Sequence, residues 1–148
     1  MDWVHIHITI NHFPIILAVT GALAALLGLA RSGRRIWLYA TVSLALAAIT
    51  AVPTYFTGGP AEHLLGHAWY LAPESIHRHE SAALIAVLLT GLAGLVALVA
   101  WRRLVRYPRE LTRPAGLRAA VVITAVAAAA MIGYTSLLGG RIIHDSPG

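Results

Sequence analysis

His5, His7, His12, His63, His67, His77, His79 and His144 are the eight histidines of a 148-residue chain that contains no cysteine and no lysine. Neutral imidazole is the commonest protein ligand for metals and a common axial ligand for haem iron. The absence of cysteine excludes disulfides, thiolate metal sites and cysteine nucleophiles. Three of the histidines, His12, His79 and His144, each adjoin the end of a different apolar run. Ionisable residues in such places are functional candidates by default, and these three are the first candidates to hold a cofactor. His79 and Glu80 are neighbours, so on a helix their side chains diverge by about 100°. One can ligate while the other serves as its support or as a proton relay. Glu62 follows Gly58-Gly59-Pro60 and can close over the same site. Ser75, Ser81 and Ser136 lie near histidines, but no nucleophile motif, phosphate loop or dinucleotide fingerprint surrounds them.

The elements that must position these residues are membrane helices. Apolar residues make up 58% of the chain and charged residues 11%, and mean hydropathy is +0.73. A soluble domain is nearer 45–50% apolar and about 25% charged. This composition excludes a disordered chain, a nucleic-acid-binding domain and an ordinary soluble enzyme. Four apolar runs predict helices over about 11–30, 36–57, 76–101 and 119–141. Each is long enough for the roughly 30 Å hydrocarbon layer. Asn11 is the expected N-cap of the first, with Pro14 in its opening turn. Gly58-Gly59-Pro60 is expected to close the second, and Gly139-Gly140 the fourth. The fold class is therefore all-α: an integral membrane four-helix bundle forming a single transmembrane domain over 1–148. The opening MDWVHIHIT carries no basic stretch, so the first run is read as a retained helix and not a cleaved leader.

Charge placement predicts the topology. Nine of the eleven arginines fall between runs one and two (Arg31, Arg34, Arg35) or between runs three and four (Arg102, Arg103, Arg106, Arg109, Arg113, Arg118). Arginine-rich loops face the cytoplasm. Both termini and the loop between helices two and three then face the extracytoplasmic side of a bacterial inner membrane. All eight histidines fall on that side, with Asp2, Glu62, Glu74, Glu80 and Asp145. Stripes of small residues lead toward them. They are Ala18, Gly21, Ala25 and Gly28, extrapolating to Pro14, Asn11 and His7; Ala40, Ala47, Thr50 and Thr54; Ala82, Ala83, Ala86, Thr90, Ala93 and Ala97 below His79; and Ala125, Ala129, Gly133, Ser136 and Gly140 below His144. Such stripes let helices approach closely or leave room for a flat cofactor.

Four motifs in order carry a resemblance. They are His5-Ile6-His7 with Asn11-His12-Phe13-Pro14; Thr57-Gly58-Gly59-Pro60-Ala61-Glu62; His79-Glu80-Ser81-Ala82-Ala83; and Gly139-Gly140-Arg141-Ile142-Ile143-His144. Together they resemble a widespread group of small four-helix bacterial membrane proteins of unknown function, over nearly the whole chain. The resemblance implies that His7, His12, Glu62, His79, Glu80 and His144 belong to one site. There is a looser similarity to small b-type cytochromes.

Three functions are expected from these readings. The first is a membrane-embedded redox protein, its histidines holding haem b near the extracytoplasmic surface and exchanging electrons with a quinol. The second is a one- or two-ion centre of iron, copper or zinc ligated by His and Glu. The third is a non-catalytic accessory subunit of a larger membrane complex or homo-oligomer. Whether the chain is an enzyme is left open. The expected partners are the lipid bilayer and quinone, and no nucleic acid.

Overall fold

The computed structural model describes residues 2–31, 33–65, 73–107 and 115–144. Four helices follow one another: α1 (Trp3–Arg31), α2 (Arg34–Leu65), α3 (Pro73–Arg106) and α4 (Ala115–His144). All four are long and apolar enough to cross a membrane. They pack in a ring, with α1 against α2, α2 against α3, α3 against α4 and α4 against α1. Neighbours run antiparallel, so the helix ends bearing most of the arginines gather at one end of the bundle. The histidine-bearing ends gather at the other.

The core is built from the smallest residues. Ala18, Ala40, Ala93 and Ala97 are 0% exposed, whereas Phe56 is 70% and Ile123 67% exposed. Large apolar side chains thus face outward all round, the reverse of a water-soluble bundle. The buried seam of α1 runs Pro14, Ala18, Gly21, Ala25, Gly28, alternating steps of four and three. That spacing averages 3.5 residues per turn and gives near-parallel, coiled-coil-like packing. Gly21 and Gly28 make it possible on α1. A Cβ on Gly28 would lie 2.7 Å from the Trp37 ring, and one on Gly21 3.0 Å from Leu44. The buried hydroxyls of Thr41 and Thr90 are satisfied within their own helices: Thr41 donates to Trp37 O, and Thr90 to Ala86 O.

The helices overrun the apolar runs that mark them. α1 begins at Trp3 and not at Asn11, because Asp2 supplies the cap. Its Oδ1 accepts the backbone N–H groups of Val4 and His5, each at 3.2 Å. Its Oδ2 takes the Nδ1–H of His5 at 2.7 Å. These bonds, the His5 side chain's foremost, hold the Asp2 carboxyl below its ordinary range. Pro14 consequently lies inside the helix, where it leaves the Ile10 carbonyl without its usual donor. Thr54 of α2 donates to that carbonyl at 3.4 Å while also bonding Thr50 O at 2.8 Å. α2 likewise continues through Gly58-Gly59-Pro60 to Leu65. Docking against the extended α1 overrides the local helix-breaking preference of these residues.

The inward face of α4 also differs from the expected stripe. Val121, Ala125, Ala128 and Ile132 are buried, whereas Gly133, Ser136 and Gly140 are exposed. The expected stripe stepped mostly by four, about 3.8 residues per turn, and so drifts off a 3.5-residue seam within two turns.

At the arginine end, two side chains cap α1. The Gly28 carbonyl is one of the last four of that helix and has no partner within it. It accepts the Trp37 Nε1–H at 3.1 Å and an Arg118 Nη2–H at 2.9 Å. The Arg118 guanidinium lies 5.2 Å from the centre of the Trp37 ring, a cation–π contact. A cation here also complements the negative end of the α1 dipole.

Candidate functional site

Two imidazoles turn into the bundle at its histidine end. His7 is half-buried on the same face of α1 as Asn11 and Pro14. Its Nδ1 lies 3.1 Å from the Thr57 hydroxyl of α2. That hydroxyl gives its own proton to the Thr54 carbonyl at 2.9 Å, so it accepts from His7 Nδ1–H. The ring lies over Gly58, where a Cβ would meet His7 Cε1 at 3.6 Å. His79 is half-buried on α3. Its Nδ1 donates to the Thr135 carbonyl of α4 at 3.1 Å. The ring fills the space that a Cβ on Gly139 would enter, 3.0 Å from His79 Cε1.

One imidazole is thus drawn toward α2 and the other toward α4. A neutral ring that donates from Nδ1 carries its lone pair on Nε2. A metal-bound histidine commonly donates its other ring N–H to a carbonyl or similar acceptor, which fixes the tautomer and the ring plane. One turn along α1 from His7, the Asn11 Oδ1 is sealed from solvent and has no hydrogen-bond partner.

The other predicted residues separate from this pair. His12 is exposed, and its Nδ1 donates to the Ile8 carbonyl of its own helix at 2.7 Å. It therefore does not join His79, because the 3.5-residue seam that turns His7 and Asn11 inward leaves position 12 outside. Glu80 is also exposed, with its carboxylate 3.8 Å from His77 Nδ1 on the outer face of α3. His144 is the last residue of α4 and Glu62 belongs to α2; their side chains, like His67, lie outside the described residues. Among the described residues, no three His, Asp or Glu side chains converge to hold an ion. Thr54, Thr57, Thr135, Gly58 and Gly139 complete the surroundings of the two rings. In the sequence Thr54 stood at the end of the second small-residue stripe, the Thr57-Gly58 and Gly139-Gly140 motifs read as turn and terminus signals, and Thr135 carried no signal. Family models, curated proteins and solved structures yield no match to this chain, so any assignment of the site rests on its own residues and geometry.

Proposed function

We propose that the protein is a membrane-embedded electron carrier of the inner membrane, in which His7 and His79 would hold a b-type haem. The observation that carries this reading is the donor set. Two inward imidazoles from opposite sides of the bundle have Nδ1–H anchored to protein acceptors and Nε2 as the ligating nitrogen. A haem needs only two protein ligands, since the porphyrin supplies the other four nitrogens. A protein-bound zinc, copper or iron ion needs three or more donors from the chain. Among the described residues the pair fits the first requirement, and Gly58 and Gly139 give each ring space against its neighbouring helix.

The outward-facing aliphatic exterior supports insertion into lipid. The arginines among the described residues at one end, Arg31, Arg34, Arg35, Arg102, Arg103, Arg106 and Arg118, support a cytoplasmic location for that end. On this reading the haem lies toward the extracytoplasmic surface. Exposed Phe13, Phe56 and Tyr134 flank the histidine end and offer a lipid-soluble quinol, the proposed electron donor, aromatic surface to stack against.

Absorption spectroscopy and metal analysis of one purified sample test the reading. The expected result is a Soret band with a low-spin, six-coordinate spectrum and about one iron per chain. A colourless preparation without stoichiometric metal would overturn it.

A further inference from the structure

Arg118 is set apart from the other arginines at its end of the bundle. Arg31, Arg34, Arg35, Arg102, Arg103 and Arg106 are exposed, whereas Arg118 is half-buried. Its Nη2 donates to the Gly28 carbonyl, and the guanidinium lies over Trp37. Its Nε–H is shielded from solvent and has no acceptor. Among the described residues no carboxylate pairs with it. Glu110, the only acid in the loop between α3 and α4, lies outside them. A charged donor left without an acceptor away from water is costly. A guanidinium is also the side chain best shaped to take two oxygens of a phosphate.

Arg118 borders an apolar groove between α1 and α4. The groove measures about 390 Å³ and is lined by Leu29, Ala115, Arg118, Ala119, Val122 and Ile123. From Ala115 to Ile123 it follows α4 for about 12 Å. It is open along one side, where Leu29 is 46% and Ile123 67% exposed. One end is the first turn of α4, which carries no acidic side chain and presents the positive end of the helix dipole. The groove therefore offers a cation and a helix N-terminus at one end and an aliphatic channel beyond them.

We infer that this groove holds an anionic phospholipid, its phosphate on the Arg118 guanidinium and part of an acyl chain along Leu29, Val122 and Ile123. Charge complementarity carries the choice, because arginines gather at this end and none of the described acids does. A free phosphate would leave the aliphatic wall uncovered; a neutral lipid would leave the cation unpaired. The inference goes beyond the electron-carrier reading: it requires the bundle to lie in lipid, but no haem. The bound lipid covers the seam where the first and last helices meet.

The test uses full-length protein purified in detergent and stripped of lipid. It is offered phosphatidylglycerol and phosphatidylcholine in equal amounts with the same acyl chains, and native mass spectrometry reads what is retained. Wild type is expected to prefer phosphatidylglycerol by about fivefold, the scale of one arginine's attraction for an anionic lipid. Arg118→Gln is expected to abolish the preference and Arg102→Gln to keep it. Equal retention of both lipids by wild type, or a preference that survives Arg118→Gln, overturns the inference. Arg118 also caps α1, so a second variant leaves it in place. Ala119→Phe fills the groove and is expected to lower phosphatidylglycerol retention several-fold; unchanged retention overturns the acyl-chain placement. Excess inorganic phosphate is expected to leave the lipid bound, and displacement by it overturns the lipid in favour of a free anion. A colourless protein that selects phosphatidylglycerol loses the haem reading and keeps this one, whereas a haem-loaded protein without the preference does the reverse.

Discussion

A hydrogen-bond partner decides what an imidazole can do more firmly than its place in the sequence. His12 and His7 are five residues apart on one helix, yet His12 spends its Nδ1–H on the Ile8 carbonyl at the surface, whereas His7 meets Thr57 across an interface. Asn11 shows the same dependence in reverse. Its Oδ1 is buried without a donor, and such an acceptor costs about 1–3 kcal/mol. Leucine has nearly the same shape and no such requirement. Asn11→Leu is therefore expected to raise the stability of cofactor-free protein in detergent, by roughly 1–3 kcal/mol. Thermal unfolding followed by circular dichroism reads this directly. A fall in stability would mean that Asn11 has a donor in the folded protein.

The helices approach one another only where glycine and alanine allow it. Gly28 is the tightest case on α1, since an added Cβ would fall 2.7 Å from Trp37 Cε2 and 2.9 Å from its Nε1. Trp37 is 3% exposed and cannot swing away without leaving the core. Its Nε1–H bond to Gly28 O and the Arg118 contact above its ring depend on that position. Gly28→Ala should therefore destabilise the bundle by about 1–3 kcal/mol, the usual range for overpacking. The loss should show as a lower unfolding temperature together with a change in tryptophan fluorescence. Gly59→Ala is the internal control, because nothing lies within 4 Å of the Cβ it would add. Comparable losses in the two variants would refute the argument from close approach.

At the scale of the molecule, an alanine and glycine interior inside an aliphatic exterior suits the proposed lipid surroundings. Insertion would rest on the apolar runs and on internally satisfied backbones, and orientation on arginine. The topology predicts that a reporter active only in the cytoplasm is silent at the C-terminus and active in the loop between α1 and α2. The opposite pattern would reverse the sidedness and move the proposed haem to the cytoplasmic face. Replacing Arg31, Arg34 and Arg35 together by Asn should weaken the orientation, since three of the nine orienting charges are lost.

The sequence determined the number and kind of elements, because four long uncharged apolar runs separated by arginine or polar segments admit little besides membrane-length helices. It also determined the inward faces of α1 and α3. Small residues recurring at threes and fours place Ala18, Gly21, Ala25 and Gly28 on one line and Ala82, Ala83, Ala86, Thr90, Ala93 and Ala97 on another; both lines are buried except for the half-buried Ala83. Extending the first line by one turn beyond Asn11 reaches His7. Only tertiary structure decided where the helices end. The capping carboxylate of Asp2 and the donation of Thr54 to Ile10 O outweigh the local signals at Asn11, Pro14 and Pro60, and the second of these contacts joins residues 44 positions apart. The partners that hold His7 and His79 were likewise beyond the sequence. A histidine at a helix end reads the same whether it faces lipid or core, and a drift of a few tenths of a residue per turn separates the two. What turns these rings inward is a hydroxyl and a carbonyl on neighbouring helices, Thr57 and Thr135, whose partners lie 50 and 56 residues away along the chain.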